Sequence, residues 1–268
     1  MVRVPPLPSS WKVAWITGAS TGIGRELALK LAGGGVRVAA SARSRGKLSE
    51  LEAANANIKA YPLDVTDRDG CVRTFAAIER DLGPVDLAIL NAGVWIPMNA
   101  DAFDPKGIEE SMAVNFNGIV NGLDPIIPAM VRRGAGHIAL VASVAGYRGL
   151  PGSIAYAPSK AAVISLAEAL HLDLRGRGVR LSIINPGFVD TPMTKVNTFP
   201  MPFIIPADEA ANRIIRGLAS GRYEIVFPLR MKLLAKFTRL LPNSAYFSFI
   251  SRISGGEALP PRPPRAES

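Results

Sequence analysis

Tyr156 and Lys160 stand four residues apart in the stretch IAYAPSKAAV, where a long apolar helical pattern over 155–176 begins. Positions i and i+4 share one face of a helix, so the lysine ammonium would lie beside the phenol. A free tyrosine has a pKa of about 10 and rarely ionises near neutral pH. A neighbouring cation favours the phenolate, which makes the pair a candidate acid–base group for carbonyl or alcohol chemistry. Lysines and aromatics are also common on helices, and the spacing recurs by chance. The elements that would position the pair must decide.

Short apolar runs alternate with longer helical patterns along the chain. Strands are predicted at 12–17, 36–42, 58–62, 85–90, 137–142 and 180–185, with a last one at 224–228. Helices are predicted at 22–33, 46–55, 68–82, 108–133, 155–176 and 208–219. Repeated strand–helix units with right-handed crossovers give an α/β fold, a doubly wound parallel sheet with helices on both faces. Ligands of such sheets bind outside the carboxyl ends of the strands.

The strand ends carry residues that suit a dinucleotide. After the first strand comes TGASTGIG, with Gly18, Gly22 and Gly24 allowing the backbone to turn tightly and approach a pyrophosphate at a helix N-terminus. Ser20, Thr21 and Ile23 complete that loop, and Thr21 is uncharged, so the loop offers no second cation. At the end of the second strand Ala42 stands where an acid would hold a ribose 2′-hydroxyl, and Arg43 follows. A guanidinium there can fork onto a 2′-phosphate, which favours NADP(H) with NAD(H) still possible; the alternative is an ordinary surface arginine. Asp64 is placed to accept from an adenine amino group beside the Val65 backbone, with an Asx-turn or helix cap as the other reading, better suited to Thr66 or Asp67. Asn91, Ala92 and Gly93 end the fourth strand, where small side chains leave room for a flat ring.

Composition narrows the class. The chain has 268 residues, 48% of them hydrophobic, enough for one large α/β core. A single cysteine, Cys71, excludes an internal disulfide framework. His137 and His171 have no clustered partners, so no metal site is predicted. The net charge is +9, but Arg213–Arg252 alone holds eight basic residues against one acid. That local excess argues against a nucleic-acid protein. MVRVPPLPSS lacks the apolar stretch of a signal peptide and no apolar run reaches spanning length, so a soluble, cytoplasmic protein is expected.

Taken together, TGASTGIG, NAG, Ser143, YAPSK and NPGFVDT resemble the short-chain dehydrogenase/reductase family, in order from about residue 12 to 192. The resemblance implies one Rossmann-like domain with a seven-stranded sheet, an NAD(P)-dependent oxidoreductase, and a homodimer or homotetramer. It implies four catalytic residues: Tyr156 as acid–base, Ser143 orienting the substrate oxygen, Lys160 also on the nicotinamide ribose, and Asn115 supporting a water chain that reloads the proton. Pro186, Gly187, Val189 and Thr191 would place the nicotinamide. Ala142 replaces the first serine of the family's usual pair, and Leu90 the first Asn of NNAG.

Substrate contacts are predicted from Val94–Ile96, Trp95 above all, from the loop near Tyr147–Pro151, and from segment 192–206, a proline-punctuated lid bearing Phe199, Met201 and Phe203. With no arginine or carboxylate in that segment, the expected substrate is a hydrophobic ketone, aldehyde or alcohol, although these side chains could equally fill a core. The helix over 229–241 places Leu229, Leu233, Leu234, Phe237, Leu240 and Leu241 on one side and Lys232, Lys236 and Arg239 opposite, with Arg230 in the apolar arc. Such a face more often packs on its own domain or a partner subunit than on a membrane; peripheral membrane contact through 229–252 is the other expectation. The organisation expected is a tail at 1–10, a catalytic domain at 11–228, this basic extension at 229–254 and a disordered tail at 255–268.

Overall fold

The computed structural model describes residues 6–197 and 199–253; the tail expected at 255–268 lies outside them. Seven parallel strands form the central sheet: β1 (Val13–Thr17), β2 (Arg37–Ala42), β3 (Ile58–Pro62), β4 (Leu87–Leu90), β5 (Gly136–Val141), β6 (Val179–Pro186) and β9 (Glu224–Phe227). Their order is β3-β2-β1-β4-β5-β6-β9, so the chain reverses its direction of travel between β1 and β4. A crevice opens there, outside the strand ends. A two-residue pair, β7 (Val189–Asp190) and β8 (Ile205–Pro206), closes the base of the intervening segment.

Alternation along β1 shows why both faces are covered. Ala14 and Ile16 enter one core with Leu27 and Leu31 of α1 (Gly22–Gly33), Leu48 and Leu51 of α2 (Arg45–Ala54), and Ile214 and Leu218 of α7 (Ala207–Ala219). Val13 and Trp15 enter the other. That second core holds Phe75 and Ile78 of α3 (Arg68–Leu82), Ile119 and Ile126 of α5 (Gly118–Arg133), and Val163 and Ala167 of α6 (Tyr156–Asp173). Strands buried on both faces need near-continuous apolar runs, as the VAWI of β1 is, with the closing Thr17 buried at the carboxyl end where its hydroxyl has a partner. The indole N–H of Trp15 would be an orphan in such a core, and Ser41 Oγ accepts it at 2.9 Å.

Three expectations change. The helix predicted over 108–133 is α4 (Pro105–Met112), one π turn (Ala113–Asn117) and then α5. Within the expected N-terminal tail, Leu7 packs against the α1 core. The helix expected over 229–241 forms as α8 (Leu229–Leu240), followed by α9 (Asn243–Ile253), but it is turned over. Its buried side is Met231, Ala235 and Thr238, whereas Leu229, Leu233, Phe237 and Leu240 are 63%, 62%, 53% and 83% exposed. Leu234 and Leu241 are half-buried. The small Ala235 and Thr238 fit close against the domain, and polar anchors rather than leucines hold the helix down.

Candidate active site

The carboxyl edge of the sheet opens into one elongated cleft of about 590 Å³. Its floor at β1 is built by close approach. Gly18 has a φ of +67°, and a Cβ there would lie 2.8 Å from Ala92 Cα. Asn91 explains the closeness: its Nδ2 donates to Thr17 O at 3.1 Å and Gly18 O at 3.3 Å, and Thr17 Oγ1 accepts from Asn91 N–H. Those bonds tie the β1 loop to the β4 loop across the switch point and leave the first turn of α1 facing the cleft.

Of the predicted cofactor residues, Gly18, Ser20, Thr21, Gly22, Ile23, Arg43, Asp64, Val65, Asn91, Ala92, Gly93, Tyr156, Lys160, Pro186, Gly187, Val189 and Thr191 line this cleft. Gly24 does not; it is buried beneath the loop against Gly18. Arg43 is exposed at the mouth and forms no ion pair with any described residue. Asp64 is partly spent on the turn that sequence reasoning gave to its neighbours, since its Oδ1 accepts from the N–H and hydroxyl of Thr66. Asp67 caps α3 through Gly70 N–H.

The other end holds Ser143, Tyr156 and Lys160. Ser143 follows β5 and its Oγ accepts from Ala145 N–H at 3.1 Å, which opens a short 3-10 turn. Lys160 is 3% exposed, and its Nζ donates to Val141 O at 2.9 Å. Burial pushes its pKa down to about 8. Burial also pushes Tyr156 up to about 12, against a smaller downward pull from a hydrogen bond with Ser143. This departs from the expectation that Lys160 lowers the phenol pKa. The ammonium lies 5.6 Å from the ring centroid and spends a hydrogen on a backbone carbonyl, so desolvation wins. The protein alone therefore holds a neutral phenol beside an ammonium that releases its proton near pH 8.

Asn115 sits in the π turn, fully buried, and does not line the cleft. Its Oδ1 accepts from Val94 N–H at 2.7 Å; its Nδ2 reaches Val94 O, Ser111 Oγ and Ser159 Oγ at 3.0–3.1 Å. Ser159 Oγ in turn donates to Tyr156 O. The side chain thus joins the β4 loop, α4 and α6, and its polar atoms are occupied by those bonds.

Of the predicted substrate residues, Ser143 and Val94 line the cleft. Trp95 meets the Tyr156 ring edge-on at 5.0 Å, with its own indole N–H buried and unpartnered. Phe199 packs on Phe188, Met201 Sδ accepts from Asn197, and Phe203 is turned outward under Arg230. Met193 and Thr194 of the same segment do face the cleft, as do Ser44, Leu63 and Val114. Met193 and Thr194 fall within the predicted segment without being singled out in it, whereas Ser44, Leu63 and Val114 lie outside the predicted set, each next to a predicted residue: Arg43, Asp64 and Asn115.

Residues 12–199 match the family model described as short chain dehydrogenase. The chain belongs to this family. It is 37% identical over 248 residues to an uncharacterised oxidoreductase of Myxococcus xanthus, covering 91% of this chain and 98% of that one. It is 35% identical over 188 residues to a 3-oxoacyl-(acyl-carrier-protein) reductase of Thermotoga maritima (69% and 76% of the two chains), and 30% over 211 residues to an acetoacetyl-CoA reductase of Rhizobium meliloti (79% and 84%). Among solved structures, a serine dehydrogenase with NADP+ shares the fold with a TM-score of 0.76 at 24% identity, over 81% of this chain and 95% of that one. This short-chain dehydrogenase is an NAD(P)-dependent oxidoreductase. Its glycine cradle fits such a dinucleotide, because a side chain at Gly18 or Gly22 would meet Ala92 or Thr191 and fill the bed.

Proposed function

We propose that the enzyme is an NADPH-preferring reductase that interconverts a carbonyl and an alcohol on a hydrophobic substrate. The observation that carries this reading is the single cleft with Arg43 and Ser44 at one end, Ala42 rather than an acid beside them, and Ser143, Tyr156 and Lys160 at the other. Arg43 and Ser44 would hold a 2′-phosphate, the first through a charge-assisted fork and the second through its hydroxyl. The β1 loop would cradle the pyrophosphate, Asp64 and Val65 the adenine, and Pro186, Gly187, Val189 and Thr191 the nicotinamide. The bound nicotinamide supplies or accepts the hydride.

Within that frame Tyr156 hands its proton to the substrate oxygen, which Ser143 orients. A phenol held protonated by burial suits the reduction direction, since the proton is in place before it is needed. Lys160 holds a ribose hydroxyl and keeps the proton supply charged below pH 8. Asn115 acts as a positioning residue, fixing the turn of helix that carries the pair. The two reductases among the relatives bear names consistent with carbonyl reduction. Exposed Val120 on α5 and Leu172 on α6 support pairing of these helices between copies of the chain.

The test is consumption of NADPH and NADH with aldehydes and ketones of graded chain length. Expected is turnover with NADPH that rises with chain length and vanishes in Tyr156→Phe, which still binds cofactor. Loss of one charge-assisted fork, worth about 1.5–3 kcal/mol, should weaken NADPH in Arg43→Ala roughly 10–100-fold and leave NADH nearly unchanged. Equal NADPH affinity in wild type and Arg43→Ala would overturn the cofactor assignment.

A further inference from the structure

The C-terminal helices present an apolar face that the domain does not use. Leu229, Leu233, Phe237 and Leu240 recur at helical spacing along α8, and all are more than half exposed. Phe237 meets Phe249 of α9 edge-on at 6.4 Å, and Phe247 of α9 is 61% exposed, so the face continues onto the second helix. At its other end the guanidinium of Arg230 lies 5.5 Å from the Phe203 ring centroid. Phe203 and Ile204 are themselves exposed, which joins the face to the segment bordering the cleft.

Charge says what would cover it. Leu229–Ile253 contains Arg230, Lys232, Lys236, Arg239 and Arg252 and neither aspartate nor glutamate. Lys236 reaches back to Glu224 at 2.8 Å and Arg239 over Tyr147 at 5.2 Å, yet both remain exposed. A second copy seated through the same face would set these cations against their own kind. We propose that α8 and α9 dock this enzyme on an anionic lipid surface, with the apolar stripe in the interface and the basic residues at the headgroups. Among the described residues no helix is long and apolar enough to cross a membrane, so the helices lie in the surface.

The face is held rigidly to the site. Arg148 donates to Thr238 O at 2.9 Å, Leu241 O at 2.8 Å and Asn243 Oδ1 at 2.6 Å, and stacks on Tyr246 at 3.8 Å. Tyr246 Oη donates to Gly149 O. Met231 packs where a Cβ on Gly187 would stand, 2.9 Å away. Both loops that α8 and α9 grip, 147–150 and 186–187, adjoin Ser143 or the cleft itself. Docking therefore fixes the orientation of the cleft relative to the bilayer.

Flotation of the full chain with vesicles tests this: phosphatidylcholine alone, and phosphatidylcholine with 30 mol% phosphatidylglycerol (a composition of about one anionic lipid in three). The expected result is flotation with the anionic vesicles, weaker by at least about tenfold on neutral ones and in high salt. The exposed-face variant Leu233→Ser/Phe237→Ser/Leu240→Ser should lose flotation while keeping its melting temperature and its vesicle-free turnover. Failure of the wild type to float on anionic vesicles overturns the proposal, as does flotation of the triple variant at wild-type level. A lipid-free oligomer that the triple variant dissolves would assign the face to another protein copy and also overturn it. None of these readings depends on the substrate or cofactor assignment.

Discussion

Replacing Lys160 by methionine tests the electrostatic state of the site in the absence of any ligand. The ammonium is 3% exposed and its pKa falls from 10.5 to about 8. At about 1.36 kcal/mol per unit, carrying that charge into the fold costs about 3 kcal/mol at pH 7. The sign follows from the direction of the shift. A folded pKa below the unfolded one means that the unfolded chain binds more protons between them, so the cost is full below pH 8 and fades as pH rises towards 10.5. At pH 9.5 about 1 kcal/mol remains, a relief of about 2 kcal/mol. Urea denaturation of wild type and Lys160→Met at pH 7.0 and 9.5 isolates this term, because the lost bond to Val141 O and all other titrations cancel in the double difference. The wild type should gain about 2 kcal/mol on the variant between the two pH values. A change near zero, or of opposite sign, would refute the claim that burial rather than a partner sets the state of Lys160.

Two further outcomes follow from the geometry. Asn115→Ala strips partners from Val94 N–H and C=O together, which should cost roughly 2–4 kcal/mol in chemical denaturation. It should also lower kcat through displacement of α6; a variant of wild-type stability and kcat would remove the strut role. Gly24→Ala places a Cβ 2.3 Å from Gly18 O, so the β1 loop must shift. A weakening of cofactor binding of at least about tenfold is expected by fluorescence titration, the backbone displacement costing about 1–3 kcal/mol, and an unchanged Kd would show that the loop yields freely.

Most of the fold could be read from residue pattern, because strands buried on both faces produce short apolar runs that stop where the sheet stops. VAWIT and its counterparts coincide with observed strands to within two residues at either end. The cleft was legible for the same reason: strand ends are fixed in the sequence, and the predicted cofactor residues cluster there. Side-chain orientation was not. Leucine periodicity gives the apolar side of α8 but not which side faces the domain, and Arg148, ninety residues away, supplies the anchor that decided it. The π turn at Asn115 was equally hidden, since a one-residue slip in helical register leaves the apolar pattern on both sides intact. Phe199, Met201 and Phe203 stand out in the sequence only by their apolarity, whereas Met193 and Thr194 reach the cleft because the chain has only just left β7.

The two short pairings Val189–Ile205 and Asp190–Pro206 stitch together the ends of the segment between them. Its closure is thus already secured by backbone hydrogen bonding at the stem, whatever lies at the tip. Doubling the length of such a loop adds only about 0.6 kcal/mol of closure cost. The stem therefore makes 195–204 an exchangeable cassette: sequences of different length and shape could be grafted between Thr194 and Ile205 to retune which molecules enter, while β6, α7 and the cleft residues Thr191, Met193 and Thr194 remain unchanged.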